Sequence, residues 1–331
     1  MYILQFMKIT VAIVMGGYSS EVNISMKSGN VVYQHLNRDI YRPFRVHVLK
    51  NEWLALDENG ATYPIDKSDF SFTAHNEKIA FDCVFNAIHG TPGEDGSLIA
   101  YFETLGIKHT SAPFYQMALT FNKRDTLSVV KQYGIRTAKS VYLNEGDEII
   151  PNDIIEKVGL PCFVKPNKAG SSFGISKVYE HQNLMGAIKK AFSEDSEILI
   201  ESFLEGTEVS VGVIQYEGKI KVFPITEIVS ENDFFDYEAK YEGKSQEITP
   251  ARISEEIKIR VEEEARKVYQ ILQMSGFSRS EFILVNGEPH FLEMNTVPGL
   301  TEESILPQQA NEAGISLASL FDNAVKIALK S

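Results

Sequence analysis

The feature that most constrains the fold is a short apolar strand that ends in two glycines near the start of the chain. Residues 8–15 read KITVAIVM, and the pair of glycines follows directly. A run of β-branched apolar residues is typical of a strand that is buried on both faces in a parallel sheet. We expect a helix next, capped by Ser19 or Ser20 and with Glu21 in its first turn. The chain therefore opens with a strand-loop-helix unit.

A second unit of the same kind begins at residue 81. The segment FDCVFNAIHG (81–90) predicts a strand, the loop HGTPGEDG (89–96) follows, and LIAYFETLG has a helical pattern. Alternating strands and helices predict a parallel sheet. Ligands of such sheets bind at the carboxyl ends of the strands, where both glycine-rich loops fall. Residues 1–112 are therefore expected to form one parallel α/β domain.

The rest of the chain predicts two smaller α+β units. In residues 113–198 a helix precedes the strand LPCFVKP, a glycine and serine loop, and the strand ISKVY. In residues 199–331 the strand ILIESFL comes first, followed by a long amphipathic helix and a hairpin with Asn286 and Gly287 at its tip. The predicted fold class is α/β with three domains.

Charge and composition exclude several kinds of protein. The net charge of -13 and the pI near 5.1 disfavour nucleic-acid binding, because such a field repels a polyanion. No stretch approaches the roughly 20 apolar residues of a membrane helix. The two cysteines, Cys83 and Cys162, lie in apolar segments that are typical of buried thiols rather than of a disulfide. We expect a cytoplasmic protein that gathers local cations around any anionic substrate.

A glycine and serine loop, residues 167–174, lies between two predicted strands. Its small residues let backbone N–H groups approach a phosphate closely, although the helix that follows a Walker-type loop is missing. A plain flexible turn is the alternative interpretation. Lys165 stands beside apolar neighbours just before the loop and favours anion binding, because a buried lysine requires a partner.

Two polar segments, RSE and EMN, stand on the strands of the last hairpin. Carboxylate and amide oxygens suit a hard cation such as Mg²⁺. With an ideal two-residue turn Glu281 would lie opposite Leu292, so that Glu281 and Glu293 would point to opposite faces. We predict a bulge or a longer loop, which places Glu281 opposite Glu293 and Arg279 opposite Asn295. The alternative is a solvated charged face.

Two further loops are candidates for the site. The segment NTVPGLT (295–301) predicts a turn whose N–H groups can point into a site. The aromatic and charged segment FFDYEAKY (234–241) predicts a lid that excludes water once substrate is bound. The respective alternatives are an ordinary turn and a surface helix with an aromatic patch.

Six segments, in their order along the chain, resemble the D-alanine:D-alanine ligases of the ATP-grasp superfamily. They are GGYSSEVNIS, HGTPGEDG, VKPNKAGSSFGISKV, IESFLEGTE, FDYEAKY and EMNTVPGLTEES, and the resemblance runs from Gly16 to about Gly314. It implies a three-domain ATP-grasp fold, in which an N-terminal parallel (Rossmann-like) domain precedes two α+β domains that clasp ATP. ATP would be the cosubstrate, with two Mg²⁺ ions, or Mn²⁺ in their place.

The resemblance also implies the nucleotide and metal residues. Glu201 would bind the adenine amine and Glu208 the ribose hydroxyls. The full set of nucleotide contacts is Lys123, Lys165, Ser172, Glu201, Phe203, Leu204, Glu208 and Phe234, and the metal ligands are Glu281, Glu293 and Asn295. The family usually has aspartate at the position of Glu281, and the extra methylene moves the carboxylate by roughly 1.5 Å. This departure bears on metal geometry and preference.

The implied reaction joins two D-alanine molecules into D-alanyl-D-alanine through an acyl phosphate, releasing ADP and phosphate, for peptidoglycan synthesis. The implied catalytic residues are Glu21, Ser171, Tyr241, Arg279 and Gly299, and the implied substrate contacts are His89, Lys240, Ser304 and Ile305. Glu21 would anchor the first ammonium group, and Arg279 with the Gly299 N–H would stabilise the developing oxyanion. A homodimer is implied as well.

Three alternative functions stay open at this point. A related ligase could use D-lactate or D-serine as its second substrate, although Tyr241 argues against lactate because D-lactate ligases generally lack tyrosine there. An ATP-grasp ligase for a larger acid would lack the combination of Glu21, His89 and Tyr241. A catalytically silent nucleotide-binding protein predicts loss of the metal and oxyanion residues, among which only Glu281 departs from the family pattern.

Overall fold

The first sheet is built around the predicted apolar strand. A computed structural model describes residues 8–170, 173–230 and 245–330. The strands of this eight-stranded sheet lie in the order β6-β5-β4-β3-β2-β1-β7-β8. They are β1 (Ile9–Gly17), β2 (Tyr41–Leu49), β3 (Trp53–Leu56), β4 (Thr62–Asp66), β5 (Ser71–Ala74), β6 (Glu77–Ile79), β7 (Cys83–Asn86) and β8 (Lys108–His109). The predicted parallel pairing is confirmed for β1 with β2 and β7, and β7 with β8, while the strands from β3 to β6 extend the sheet in antiparallel fashion.

The helices α1 (Val22–His35) and α2 (Ser97–Thr104) follow β1 and the β7 loop, as predicted. The predicted start of α1 is wrong, because Glu21 is its N-cap residue and neither serine caps it. The Ser19 hydroxyl is used elsewhere: it accepts a hydrogen bond from the Glu21 N–H and donates one to the His89 carbonyl, both at 3.2 Å. The bond to His89 ties the β1 loop to the β7 loop, and the bond from Glu21 holds that residue at the N-cap position.

The second sheet is antiparallel, with the strand order β11-β10-β12-β9. Its strands are β9 (Ser140–Asn144), β10 (Cys162–Pro166), β11 (Ser176–Val178) and β12 (Glu197–Ser202), and the helices of this part of the chain are α3 (Phe114–Phe121), α4 (Lys123–Gln132), α5 (Pro151–Val158) and α6 (Leu184–Phe192). The predicted boundary between residues 198 and 199 falls inside β12, which pairs with β10 and β9. The pairing therefore favours ending the central unit after Ser202, and the three-domain division stays a proposal.

The third sheet has six strands, with the order β16-β15-β13-β17-β18 and β14 paired to β13. Its strands are β13 (Thr207–Tyr216), β14 (Lys219–Val222), β15 (Thr226–Ser230), β16 (Ser245–Ile248), β17 (Phe277–Val285) and β18 (Glu288–Asn295), and its helices are α7 (Glu255–Ile271), α8 (Ile305–Glu312) and α9 (Leu317–Ala328). The amphipathic pattern predicted α7 correctly, since Val261, Ala265 and Val268 are fully buried.

The hairpin of β17 and β18 contains the predicted irregularity. Asn286 (φ 52) and Gly287 (φ 78) form a tight turn in the left-handed region. The register then shifts between Glu281 and Phe282, so that Glu281 lies opposite Glu293 and Arg279 opposite Asn295. The predicted bulge is confirmed, and it places both carboxylates on one face of the sheet.

The first and third sheets share apolar packing. Phe85 of β7 lies 6.1 Å from Phe277 of β17 and 5.6 Å from Phe321 of α9, measured between ring centroids. The buried Tyr41 hydroxyl donates to Asp322 of α9 at 2.7 Å. One face of the second sheet has a core of its own, formed by residues between 143 and 200, whereas Leu199 of β12 belongs to the core of the other two sheets. Within the described residues, no helix combines the length and the apolar composition required to cross a membrane.

Gly206, directly before β13, lies where the backbones of β13 and β17 approach each other closely. A Cβ atom on Gly206 would lie 2.2 Å from the Leu284 carbonyl oxygen of β17. We expect Gly206→Ala to destabilise the protein by about 1–3 kcal/mol and to lower its melting temperature. In Gly186→Ala, the control on the exposed face of α6, nothing lies within 4 Å of the new Cβ, and stability should stay equal or rise. Equal melting temperatures for the two variants would contradict the close approach.

Candidate active site

A cleft of about 430 Å³ lies between the second and third sheets. Its apolar walls include Phe163, Leu199 and Ile283, which suit an apolar or aromatic ring. Six of the predicted nucleotide residues line the cleft, namely Lys123, Lys165, Glu201, Phe203, Leu204 and Glu208. The predicted residues Ser171, Ser172, Phe234, Lys240 and Tyr241, and with them the predicted lid, lie outside the described residues.

A buried ion pair crosses the floor of the cleft. The Lys165 Nζ atom lies 2.8 Å from the Glu201 Oε2 atom, and Glu201 is almost fully buried. Burial alone would lower the pKa of Lys165, but the charges of Glu201, Glu293 and Glu208 outweigh it and raise that pKa. The ammonium group therefore stays protonated and can bind an anion in the cleft.

Lys123 is positioned by the start of α4. The Asn122 side chain caps this helix by accepting from the Asp125 N–H. The Lys123 Nζ atom donates to the Ala169 carbonyl oxygen at 2.9 Å and lies 3.2 Å from the Glu293 Oε2 atom. Lys123 thus stands between the glycine and serine loop and the β18 strand.

Asn167 connects this helix to the loop and was not predicted as a site residue. It is fully buried, and its amide donates to the Asn122 Oδ1 atom at 2.9 Å and to the Glu197 Oε2 atom at 2.8 Å. Its own Oδ1 atom accepts from the Arg124 N–H at 2.9 Å. An asparagine directly after the strand that contains Lys165 was the available signal.

The bulged hairpin supplies the candidate metal ligands. Glu281 and Glu293 lie directly opposite each other, and Lys123 and Arg279 each pair with one of them. Like charges in this register repel, so a cation between them is favourable. Within the described ranges no three His, Cys, Asp or Glu side chains converge. The set is instead two carboxylates with the Asn295 amide, an all-oxygen donor set that fits Mg²⁺.

The loops of the first sheet bring the Glu21 carboxylate beside the glycine and serine loop. A Cβ atom on Gly90 (φ 67) would lie 3.2 Å from the Glu21 Oε2 atom, and one on Gly170 would lie 3.0 Å from it. The Glu21 carboxylate therefore sits between the β7 loop and the glycine and serine loop that contains Ser171. A side chain at either position would crowd the carboxylate, so both glycines favour this close approach.

His89 lies at the junction of three segments and is 5% exposed. Its Nε2 atom lies 3.2 Å from the Ser28 hydroxyl of α1, which also accepts from the Leu300 N–H at 3.2 Å. Burial, and then the charge of Arg279, lower the pKa of His89 to about 4, against a hydrogen bond with the Val297 backbone. The imidazole is neutral at physiological pH and joins the β7 loop to the turn after β18.

The turn after β18 places Gly299 against the start of α8. A Cβ atom on Gly299 would lie 2.6 Å from the Ser304 Oγ atom, so a side chain there would displace the Ser304 hydroxyl. Ser304 is the N-cap residue of α8, and its hydroxyl lies 2.8 Å from the Thr301 hydroxyl rather than capping the helix. Ile305 follows and is buried. The predicted neighbours Gly299, Ser304 and Ile305 are thus together, near His89.

Comparison with known proteins covers nearly the whole chain. Two family models match it, "D-ala D-ala ligase N-terminus" over residues 10–112 and "D-ala D-ala ligase C-terminus" over residues 123–326. The D-alanine–D-alanine ligase of Flavobacterium johnsoniae is 66% identical over 319 residues, which span 96% of this chain and 99% of the relative. That of Christiangramia forsetii is 58% identical over 323 residues, which span 98% and 99%.

The chain belongs to the D-alanine:D-alanine ligase family. Solved structures of such ligases are similar over their full length. The VanG D-Ala:D-Ser ligase from Enterococcus faecalis has a TM-score of 0.86 at 31% identity, covering 97% of this chain and 100% of its own. A D-alanine–D-alanine ligase from Bacillus anthracis, complexed with ATP, has a TM-score of 0.79 at 27% identity, covering 97% and 98%. The ATP-grasp fold is thereby confirmed.

Glu94, within the ligase-like loop HGTPGEDG, was not predicted as a site residue. Its Oε2 atom accepts from the Gly90 N–H at 3.0 Å. Burial, and then the neighbouring charge of Glu21, raise the pKa of Glu94 to about 7. An acid in a loop at the carboxyl end of a strand was the available signal, but only the fold shows that its carboxyl faces Glu21.

The neutral state of His89 has a measurable consequence for stability. The pKa is 6.5 for an ordinary histidine and about 4 for folded His89. As pH falls through this window the unfolded chain gains a proton that the folded chain does not, so folding loses stability. As pH falls from 6.5 to 4, we expect the melting temperature of the wild type to fall more than that of His89→Asn. Above pH 7 the difference between the two melting temperatures should not change with pH. A melting-temperature difference that is constant across that window would contradict this assignment.

Proposed function

We propose that the chain ligates two D-alanine molecules to D-alanyl-D-alanine while converting ATP to ADP and phosphate, as a step of peptidoglycan synthesis. The observation that carries the proposal is the position of the Glu21 carboxylate, beside Gly170 of the glycine and serine loop. An amino-acid ammonium bound there would place its carboxylate toward the nucleotide cleft. Family membership over the whole chain supports the same reaction.

In the first step a carboxylate oxygen of the first D-alanine attacks the γ-phosphorus of ATP. The bond to the β-phosphate oxygen breaks, leaving an acyl phosphate and ADP. This chemistry depends on positioning and charge neutralisation. Lys123 and Lys165 supply positive charge at the cleft, and Glu281, Glu293 and Asn295 would hold Mg²⁺, which neutralises phosphate oxygens when bound.

In the second step the neutral amine of the second D-alanine attacks the acyl carbon. A tetrahedral intermediate forms, the bond to the phosphate oxygen breaks, and phosphate leaves. Arg279 is buried beside Glu281 with its pKa raised, because burial is outweighed by the charges of Glu281, Glu293 and Glu247. Together with the Gly299 N–H, its permanent charge would stabilise the oxyanion. Lys240 and Ser304 would bind the second carboxylate.

The proposal extends to the setting of the enzyme. A homodimer is inferred from the family resemblance, and a cytoplasmic location is inferred from the need for ATP. Light scattering after gel filtration tests the first. Three domains are proposed with boundaries near residue 112 and after Ser202, a division that the family-model limits at residues 112 and 123 support at the first boundary.

The assay that tests the reaction measures phosphate release and product mass with ATP, Mg²⁺ and D-alanine. We expect D-alanyl-D-alanine only when all three are present, and no product from L-alanine. Parallel reactions contain D-alanine with D-serine or D-lactate, because a D-Ala:D-Ser ligase is among the similar structures. If D-alanyl-D-serine or D-alanyl-D-lactate forms in preference to D-alanyl-D-alanine, D-serine or D-lactate replaces D-alanine as the proposed second substrate. If no product forms in any of these reactions, the proposed reaction is refuted.

The metal assignment is tested at Glu293. Glu293→Gln removes a charged oxygen donor, so we expect a Mg²⁺ requirement raised about 10- to 100-fold, with lower kcat at fixed Mg²⁺. Glu288→Gln is the matched control, since Glu288 lies on the same strand but pairs with Arg136 and Arg260 away from the cleft. Titrating Mg²⁺ against turnover measures both. The assignment fails if the two variants have the same Mg²⁺ dependence.

A further inference from the structure

Two contacts of one nitrogen hold the Arg279 guanidinium in its orientation. Its Nη1 atom donates to the Ser210 Oγ atom at 2.9 Å and also pairs with Glu281. The Arg279 side chain is 14% exposed. A guanidinium is planar, so fixing one of its nitrogens with two acceptors also fixes the plane in which its other N–H groups point.

Ser210 is itself held firmly. It is fully buried on β13, where it lies opposite Glu281 in the ladder with β17. Its carbonyl oxygen accepts from the Gln309 Nε2 atom of α8 at 2.8 Å. Gln309 is fully buried too and accepts from the Gly212 N–H at 3.0 Å, so α8 is joined to β13 at Ser210 and again two residues later.

The two anchors of Arg279 differ in what else they do. Glu281 is also a proposed metal ligand, and its oxygens would then be shared between Arg279 and a divalent cation. Ser210 is neutral and has no such second partner in the proposed mechanism. Its hydroxyl can therefore keep its hold on the guanidinium whether or not Glu281 binds metal.

We propose that Ser210 is a positioning residue whose hydroxyl holds the Arg279 guanidinium in the orientation that stabilises the oxyanion of the acyl-transfer step. The inference rests on the proposed function. If the second step is slowed while the first proceeds, water hydrolyses the acyl phosphate to D-alanine and phosphate. ADP formation then exceeds dipeptide formation.

Ser210→Ala tests this role, and Ser278→Ala is its matched control. Ser278 is equally buried on β17, but its hydroxyl donates to the Val213 carbonyl oxygen at 2.9 Å. We expect Ser210→Ala to lower kcat roughly tenfold, the effect of losing one hydrogen bond to a charged group. The KM for ATP should stay within about twofold, and more than one ADP should form per dipeptide. Ser278→Ala should keep the ratio of ADP to dipeptide at one.

A second variant separates positioning from folding. Ser210→Thr restores the hydroxyl but adds a methyl group to a filled site, which lowers stability. We expect it to melt below the wild type and yet to couple ADP to dipeptide better than Ser210→Ala does. The proposal is overturned if Ser210→Ala keeps a ratio of one, or if the ratio follows melting temperature across the three variants. A wild type that forms no dipeptide would overturn the proposed function and this role with it.

Discussion

The register of one hairpin decides whether the three proposed metal ligands can act together. Side chains alternate between the two faces of a strand, so a slip of one residue would send Glu293 to the face opposite Glu281. The bulge places an extra residue, Leu292, in β18, and the two acids come to lie directly opposite each other. Arg279 and Asn295 share that alignment, so the proposed oxyanion residue and the proposed metal ligands depend on the same irregularity.

The charges of the site are balanced in pairs within an acidic chain. Lys165 pairs with Glu201, Lys123 with Glu293, and Arg279 with Glu281. Removing a charge from water is costly, and a partner at hydrogen-bond distance offsets that cost. The net charge of -13 therefore does not prevent the cleft from presenting cations. The pairing also means that Lys123 and Lys165, the proposed phosphate contacts, are each already paired with a carboxylate.

Local patterns predicted the elements well, and long-range contacts account for the errors. The bulge was predictable because only that register lets Glu281 and Glu293 act together. The cap of α1 was not, since the Ser19 hydroxyl bonds to the His89 carbonyl, 70 residues away in sequence. The sheet that contains β12 was also not predictable, because an apolar run such as ILIESFL fits any buried neighbour and reveals no partner. Asn167 and Glu94 become functional candidates only through contacts with residues that are distant in sequence, Arg124 and Asn122 for Asn167 and Glu21 for Glu94.

The substrate and phosphate sides of the site come from different sheets, so their distance depends on packing far from the chemistry. The loop with His89 follows β7, whose Phe85 packs on Phe277 of the strand that also contains Arg279. This apolar contact, together with the hydrogen bonds that join His89 to Ser28 and Ser28 to Leu300, helps to set where the His89 loop stands relative to Arg279. One face of the central sheet has a separate core, while Leu127 and Val130 of α4 and Leu199 of β12 belong to the core of the first and third sheets. The glycine and serine loop approaches the Glu21 carboxylate at Gly170, so the fit between the units depends on a shared apolar core as well as on this backbone approach.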